Sequence, residues 1–203
     1  MTGIVDYGVG NIFSLVSSFD MIGERAVLAR DEKTLDACDR AILPGVGAFG
    51  DAKKKLDEAG MGDAVVRQAK SGKPLLGICL GMQLLLDKSY EFGEHAGLGL
   101  IEGSVRPISD VIPTGLPIPH IGWNALDFEE NELFKYIRRG DFVYFVHSFY
   151  AAECDESVIA TTDYGAPLTA AVADGNVFGV QFHPEKSGRV GLSILRAFCE
   201  IKG

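Results

Sequence analysis

Short apolar runs alternate with amphipathic helical stretches through the first half of this 203-residue chain, and that alternation restricts the folds open to it. Residues 3–5, 26–28, 41–43 and 74–78 read as strands, and helical patterns follow over 12–22, 52–58, 63–70 and from about Leu80. Strands separated by helices are joined by crossovers, which build a mostly parallel sheet with helices packed on it. The second half is richer in strands, at 98–105, 118–123, 142–146, 158–161, 168–173 and 177–181, before a closing helix over 190–201. Its shorter connections predict an antiparallel extension of the parallel sheet. The segment 107–119 carries four of the eight prolines and reads as a surface connection. With no repeat and no low-complexity linker, the expected organisation is one open α/β domain over residues 1–203.

Composition narrows the function classes. At 47% hydrophobic residues the chain can bury a core, and its net charge of −9 opposes a generic nucleic-acid binder. The densest basic cluster, Lys53-Lys54-Lys55, reads as the solvated face of a helix. No apolar run approaches the ~20 residues of a membrane-spanning helix, so no membrane association is expected. The opening residues run directly into a strand-like stretch, which reads as a chain without a signal peptide. Cys38, Cys79, Cys154 and Cys199 are scattered and form no Cys-x-x-Cys pair. The expectation is a cytoplasmic protein with free thiols, no bound metal and no cofactor.

Chemistry concentrates at Gly77-Ile78-Cys79-Leu80-Gly81. A nucleophile in a sharp strand-to-helix turn needs small residues on both sides, and glycines two before and two after Cys79 provide them. The turn puts the sulfur at a helix N-terminus, which favours thiolate, and turns the Leu80 amide toward an attacked carbonyl oxygen. The pentapeptide alone also fits a small buried cysteine in a strand. The other three cysteines lack this setting.

A cysteine nucleophile requires a histidine, and the histidine a group that holds its tautomer. Of His95, His120, His147 and His183, only His183 stands in Phe182-His183-Pro184-Glu185, just after a strand. Proline biases His183 toward extended geometry, in which Glu185 shares its side of the chain and can orient the imidazole. Strand ends in a parallel sheet lie at the same rim as a strand-to-helix elbow, so the two motifs can meet. A third strand end, Leu43-Pro44-Gly45-Val46-Gly47-Ala48-Phe49, has glycines flanking Val46 that let this peptide turn its amide toward an oxyanion. The same stretch also fits an ordinary βα turn or an anion-binding loop, although it lacks a P-loop ending. Gly8-Val9-Gly10 opens like a dinucleotide fingerprint, but the third glycine would fall at Phe13, which rules that reading out.

Together these motifs resemble the class I (triad) glutamine amidotransferases, whose Gly-x-Cys-x-Gly-x-Gln ends here at Gln83 and whose His-Pro-Glu follows in the same chain order. Four further stretches sharpen the likeness: Asp6 to Asn11 with Ser14, Pro44 to Phe49, Pro119 to Asn124, and Tyr144 to Tyr150. The resemblance spans nearly the whole chain. It implies a glutaminase that works with a (βα)₈-barrel cyclase subunit, as a heterodimer, in histidine biosynthesis. It makes Cys79, His183 and Glu185 the triad and gives the oxyanion hole to Val46, Gly47 and Leu80. It assigns substrate L-glutamine contacts to Gly45, Gln83, His147, Ser148 and Phe149. Asn11, Ser14, Trp123, Tyr144 and Lys186 would face the partner, although Trp123 and Tyr144 equally fit core packing. The family likeness further implies low activity until the cyclase binds its ligand, and the glycines around Val46 suggest a peptide flip as the switch. Gly188 stands where many relatives carry a longer polar side chain, which bears on interface contacts and not on the triad. The competing readings are a glutaminase subunit of another pathway and a cysteine hydrolase of related fold.

Overall fold

The computed structural model describes residues 1–203. Its first half follows the expected alternation: β1 (Thr2–Val5), α1 (Ile12–Met21), β2 (Ala26–Ala29), α2 (Glu32–Asp36), β3 (Arg40–Gly45), α3 (Phe49–Glu58), α4 (Met61–Lys70), β4 (Leu75–Cys79) and α5 (Leu80–Leu85). The strand-rich remainder comprises β5 (Leu86–Ser89), β6 (His95–Ala96), β7 (Ile101–Pro107), β8 (His120–Ala125), β9 (Asp127–Phe128), β10 (Phe142–His147), β11 (Phe149–Ala152), β12 (Val158–Asp163), β13 (Pro167–Asp174) and β14 (Val177–Val180). Helix α6 (Gly188–Glu200) closes the chain.

The main sheet has eight strands in the order β2-β1-β3-β4-β14-β13-β12-β9. From β2 to β14 neighbours run parallel, and from β14 to β9 antiparallel, which is the expected extension. The strand period of two splits the apolar side chains between two layers. Val5, Ala41 and Leu43 point to one face, under α3, α4 and α5, while Ile4 and Ile42 point to the other, with Leu15 and Phe19 of α1 and Ile194, Leu195 and Phe198 of α6. Central β4 is buried along its whole length, as a strand covered on both faces should be. No helix is long and apolar enough to cross a membrane.

Several boundaries differ from the sequence reading, each for a tertiary reason. Helix α3 begins at Phe49 rather than Ala52, because the Glu91 carboxylate accepts a hydrogen bond from the Phe49 amide at 2.6 Å, a cap supplied from 42 residues away. Helix α5 stops at Leu85, and the chain turns directly into β5. The segment from Leu98 to Leu100, expected to open a strand, instead donates amides to the carbonyls of Leu84, Leu85 and Leu86 and ends α5. Segment 107–119 does cross the surface, but it is pinned by Ile108 and Ile112 against Leu168. Two smaller sheets, β10-β8 and β11-β7-β5-β6, were not separable from the sequence pattern.

Candidate active site

The elbow forms where β4 hands the chain to α5. Cys79 adopts φ 56° and ψ −112°, a conformation that L residues rarely occupy and that strains the backbone by about 1–3 kcal/mol. The turn closes only because its neighbours lack side chains: a Cβ on Gly77 would lie 2.6 Å from the Gly81 carbonyl oxygen, and one on Gly81 would lie 1.8 Å from the Leu43 oxygen. Gly45 pairs with Cys79 across β3 and β4, and a Cβ there would press on Leu80 and Gly81. Gly45 was expected among the substrate contacts. Instead it does not line the cavity, because its bare face is used to let β3 pass over the elbow.

Cys79 opens into a cavity of about 320 Å³ at the rim of the sheet, a size that accepts a small amino acid. Val46, Gly47, Leu80, Gln83, His147, Ser148, Phe149, His183 and Lys186 reach its wall, so most of the sequence-derived candidates converge there. Gly47 holds φ +95° with open space around it, a conformation suited to glycine. Glu91, the carboxylate that caps α3, also lines the cavity. It lies in a polar loop with no local motif, and nothing in the sequence marked it.

His183 follows β14, and its Nδ1 lies 2.8 Å from Glu185 Oε1, with both side chains almost wholly buried. Proline does keep His183 extended, but Glu185 reaches it by a different route from the one expected. Pro184–Lys186 is a 3₁₀ turn that brings the carboxylate back to the ring. Burial works to lower the His183 pKa; hydrogen bonds with Cys79 and Glu185 overcome it and raise the value from 6.5 to about 9. At neutral pH the ring is an imidazolium beside the Cys79 sulfur. Because α5 is a single short helix of six residues, its dipole adds little at the sulfur.

His147 has the opposite character. Burial pushes its pKa down to about 4, so it is neutral at physiological pH and unsuited to replace His183. Its Nδ1 donates to the Phe149 carbonyl at 2.8 Å, which leaves Nε2 to accept from His120 Nδ1 at 3.0 Å. This pair shapes the cavity wall. His95 packs on Phe49 and Gly50 and does not line the cavity.

The other candidates, Asn11, Ser14, Trp123 and Tyr144, do not line the cavity, whereas Lys186 does. Trp123 on β8 and Tyr144 on β10 are paired residues whose rings meet edge to face at 6.0 Å, and Lys186 Nζ lies 5.8 Å from the Tyr144 ring centroid. Trp123 is 50% exposed, so it is not a core residue. Asn11 and Ser14 stand at the head of α1 beside Phe13, which is 83% exposed, and α1 packs against the 3₁₀ turn that carries Glu185 and Lys186. Gly188 begins α6 at φ +57° with no atom within 4 Å of its missing Cβ.

A sheet of this order with a cysteine elbow, an imidazolium and a buried carboxylate at one rim defines a cysteine-dependent amidase architecture. The glutamine amidotransferase class-I family model matches residues 4–201, and the chain belongs to that family. Within it, the chain groups with the HisH subunits of imidazole glycerol phosphate synthase. It is 50% identical to the subunit from Wolinella succinogenes over 99% of this chain and all of that one. It is also 46% identical to the Aquifex aeolicus subunit, over 97% of this chain and 95% of that one. A solved glutamine amidotransferase superposes with a TM-score of 0.76 at 21% identity, covering 98% of this chain and 97% of the other. PurLQS from Thermotoga maritima follows at 0.72 and 23%, covering 98% and 96%. These two likenesses bear on the fold.

Proposed function

We infer that the chain is the glutaminase subunit of imidazole glycerol phosphate synthase: it hydrolyses L-glutamine and passes the ammonia to a cyclase subunit for histidine biosynthesis. The observation that carries this reading is the pairing of Cys79 with a His183 imidazolium backed by Glu185, at the wall of a cavity sized for an amino acid.

The Cys79 thiolate attacks the side-chain amide carbon of glutamine. The developing oxyanion rests on the Leu80 amide, which heads α5 without an intrahelical partner, and on the Val46–Gly47 peptide. His183 gives its proton to the leaving nitrogen, ammonia departs, and a γ-glutamyl thioester remains on Cys79. Neutral His183 then takes a proton from water; the resulting hydroxide attacks the thioester, releasing glutamate and restoring the thiolate–imidazolium pair. Glu91 is the cavity's one carboxylate and suits the α-ammonium of glutamine, while Ser148 and Phe149 also line the cavity.

Free ammonia is largely protonated at neutral pH, so a shielded route to its acceptor preserves the nucleophile. The HisH relatives are named as subunits, and the acceptor site belongs to a partner cyclase subunit, a (βα)₈ barrel. The docking face suits that role. Ile121, Trp123 and Phe142 are half-exposed on β8 and β10, and Phe13 projects from α1. Such exposed apolar patches mark interaction surfaces. Unpaired, buried cysteines suit the reducing cytoplasm. The test is glutamine hydrolysis by the purified chain with and without the cyclase: the reading predicts hydrolysis that rises on mixing, and no hydrolysis in either case refutes it.

A further inference from the structure

Beyond the triad, a second polar group touches the sulfur. Gln181, at the end of β14 and wholly buried, points its side-chain Nε2 at Cys79 Sγ from 3.7 Å. The orientation of this amide is dictated by its neighbours. The Phe149 carbonyl can only accept, and the Gln83 side chain lies 3.2 Å from it, so the Gln83 end there is the NH₂ group. That same nitrogen lies 3.0 Å from the other amide, which must therefore present Gln181 Oε1 to it. The Gln181 NH₂ then has only the sulfur to serve. A thiol is a weak acceptor and a thiolate a strong one, so this buried donor is satisfied by the ionised form. Gln83, expected to contact substrate, lines the cavity while its amide nitrogen is committed to these two partners.

We propose that Gln181 is a further catalytic residue of the glutaminase, an N–H donor that holds Cys79 as thiolate, with Gln83 as the positioning residue that locks its polarity through the Phe149 carbonyl. The proposal rests on the glutaminase reading above and deepens it. The ionisable groups around the sulfur are His183, with Glu185 behind it, and Tyr7, whose hydroxyl is committed to the Pro44 carbonyl. His147, Glu91 and Lys186 line the same cavity. Among these, His183 is the other donor to the sulfur.

The test is alkylation of the full chain by iodoacetamide, with modification of Cys79 followed by peptide mass spectrometry from about pH 5 to about pH 10. Gln181→Met keeps the shape and removes the donor; it should slow alkylation roughly tenfold near neutral pH and converge with wild type at high pH, displacing the profile upward. Gln181→Glu keeps an oxygen toward Gln83 but sets a carboxylate against the sulfur, and should displace the profile further. If either variant fails to fold, Gln83→Met decides, because freeing the Gln181 amide to rotate should move the profile in the same direction. A superimposable profile, or an equal slowing at every pH as from a packing defect, overturns the proposal. Glutamine hydrolysis by wild type with its partner is measured alongside. Its absence sinks the glutaminase reading, whereas its presence with an unmoved Gln181→Met profile sinks only the role of the amide.

Discussion

Replacing Gly81 by alanine should damage stability and catalysis together. An added Cβ would sit 1.8 Å from the Leu43 oxygen, 2.8 Å from the Leu43 carbonyl carbon and 3.2 Å from that of Pro44. All three are backbone atoms of β3, which is held in the sheet between β1 and β4, so no side chain can swing aside. Reaching ordinary contact requires β3 and α5 to separate by more than about 1 Å. Overpacking of this kind costs about 1–3 kcal/mol, and the absence of a soft neighbour places this case at about 3 kcal/mol or more. The same movement carries Val46 and Gly47, just past the end of β3, away from Cys79. A misplacement near 1 Å lowers turnover on the order of 100-fold. Gly179→Ala is the internal comparison: its Cβ would meet the Met82 side chain at 2.6 Å and Val172 at 3.0 Å, groups that can repack, so about 1 kcal/mol and near-normal activity are expected. Urea unfolding and partner-stimulated glutaminase assays read both quantities. Gly81→Ala with wild-type turnover, or with a smaller stability loss than Gly179→Ala, would refute this reasoning.

Titration of His183 should show in the stability of the fold. Its pKa is raised from 6.5 to about 9, so its contribution, about 3 kcal/mol by linkage, is complete below pH 6.5 and is lost as pH rises through about 9. Denaturant titrations across that window should show a fall that shrinks in Glu185→Gln, since Glu185 supplies part of the shift; an equal fall in both proteins contradicts the assignment. Gly47→Ala, forced into φ +95°, should lose most of the ligand-stimulated glutaminase activity of the complex while Cys79 still reacts with iodoacetamide, and unchanged stimulation would remove support for a moving Val46 peptide. Trp123→Ala should weaken cyclase binding by about 1–3 kcal/mol in calorimetry and leave Cys79 alkylation as in wild type; unaltered affinity would move the interface elsewhere.

Much of this architecture could be read from the chain because its signals are local. Alternating apolar runs marked the strands of the parallel half, and the elbow motif marked where β4 ends, since glycine at 77 answers a steric need set by Gly81 and Met82 a few residues on. The His183 motif was legible for the same reason, although its geometry was not. The sequence argument placed Glu185 on an extended strand, whereas a 3₁₀ turn delivers it. What escaped depends on distant partners. Glu91 caps α3 and lines the cavity from a loop without a motif. The segment Leu98 to Leu100 satisfies α5 carbonyls instead of pairing as a strand. Gln181 and Gln83 are ordinary polar residues until the fold brings them end to end beside the sulfur. Gly45 was given to the substrate contacts by the family resemblance, and here its bare face lies against the protein's own backbone at Leu80 and Gly81.

The most direct test of the site is acid-quench mass spectrometry of the chain with its cyclase during glutamine turnover. The account predicts a γ-glutamyl adduct on Cys79 that forms in wild type and is absent from a folded Cys79→Ala protein, which also ceases to release ammonia. Sustained ammonia release by that variant, or an adduct on another residue, would contradict it.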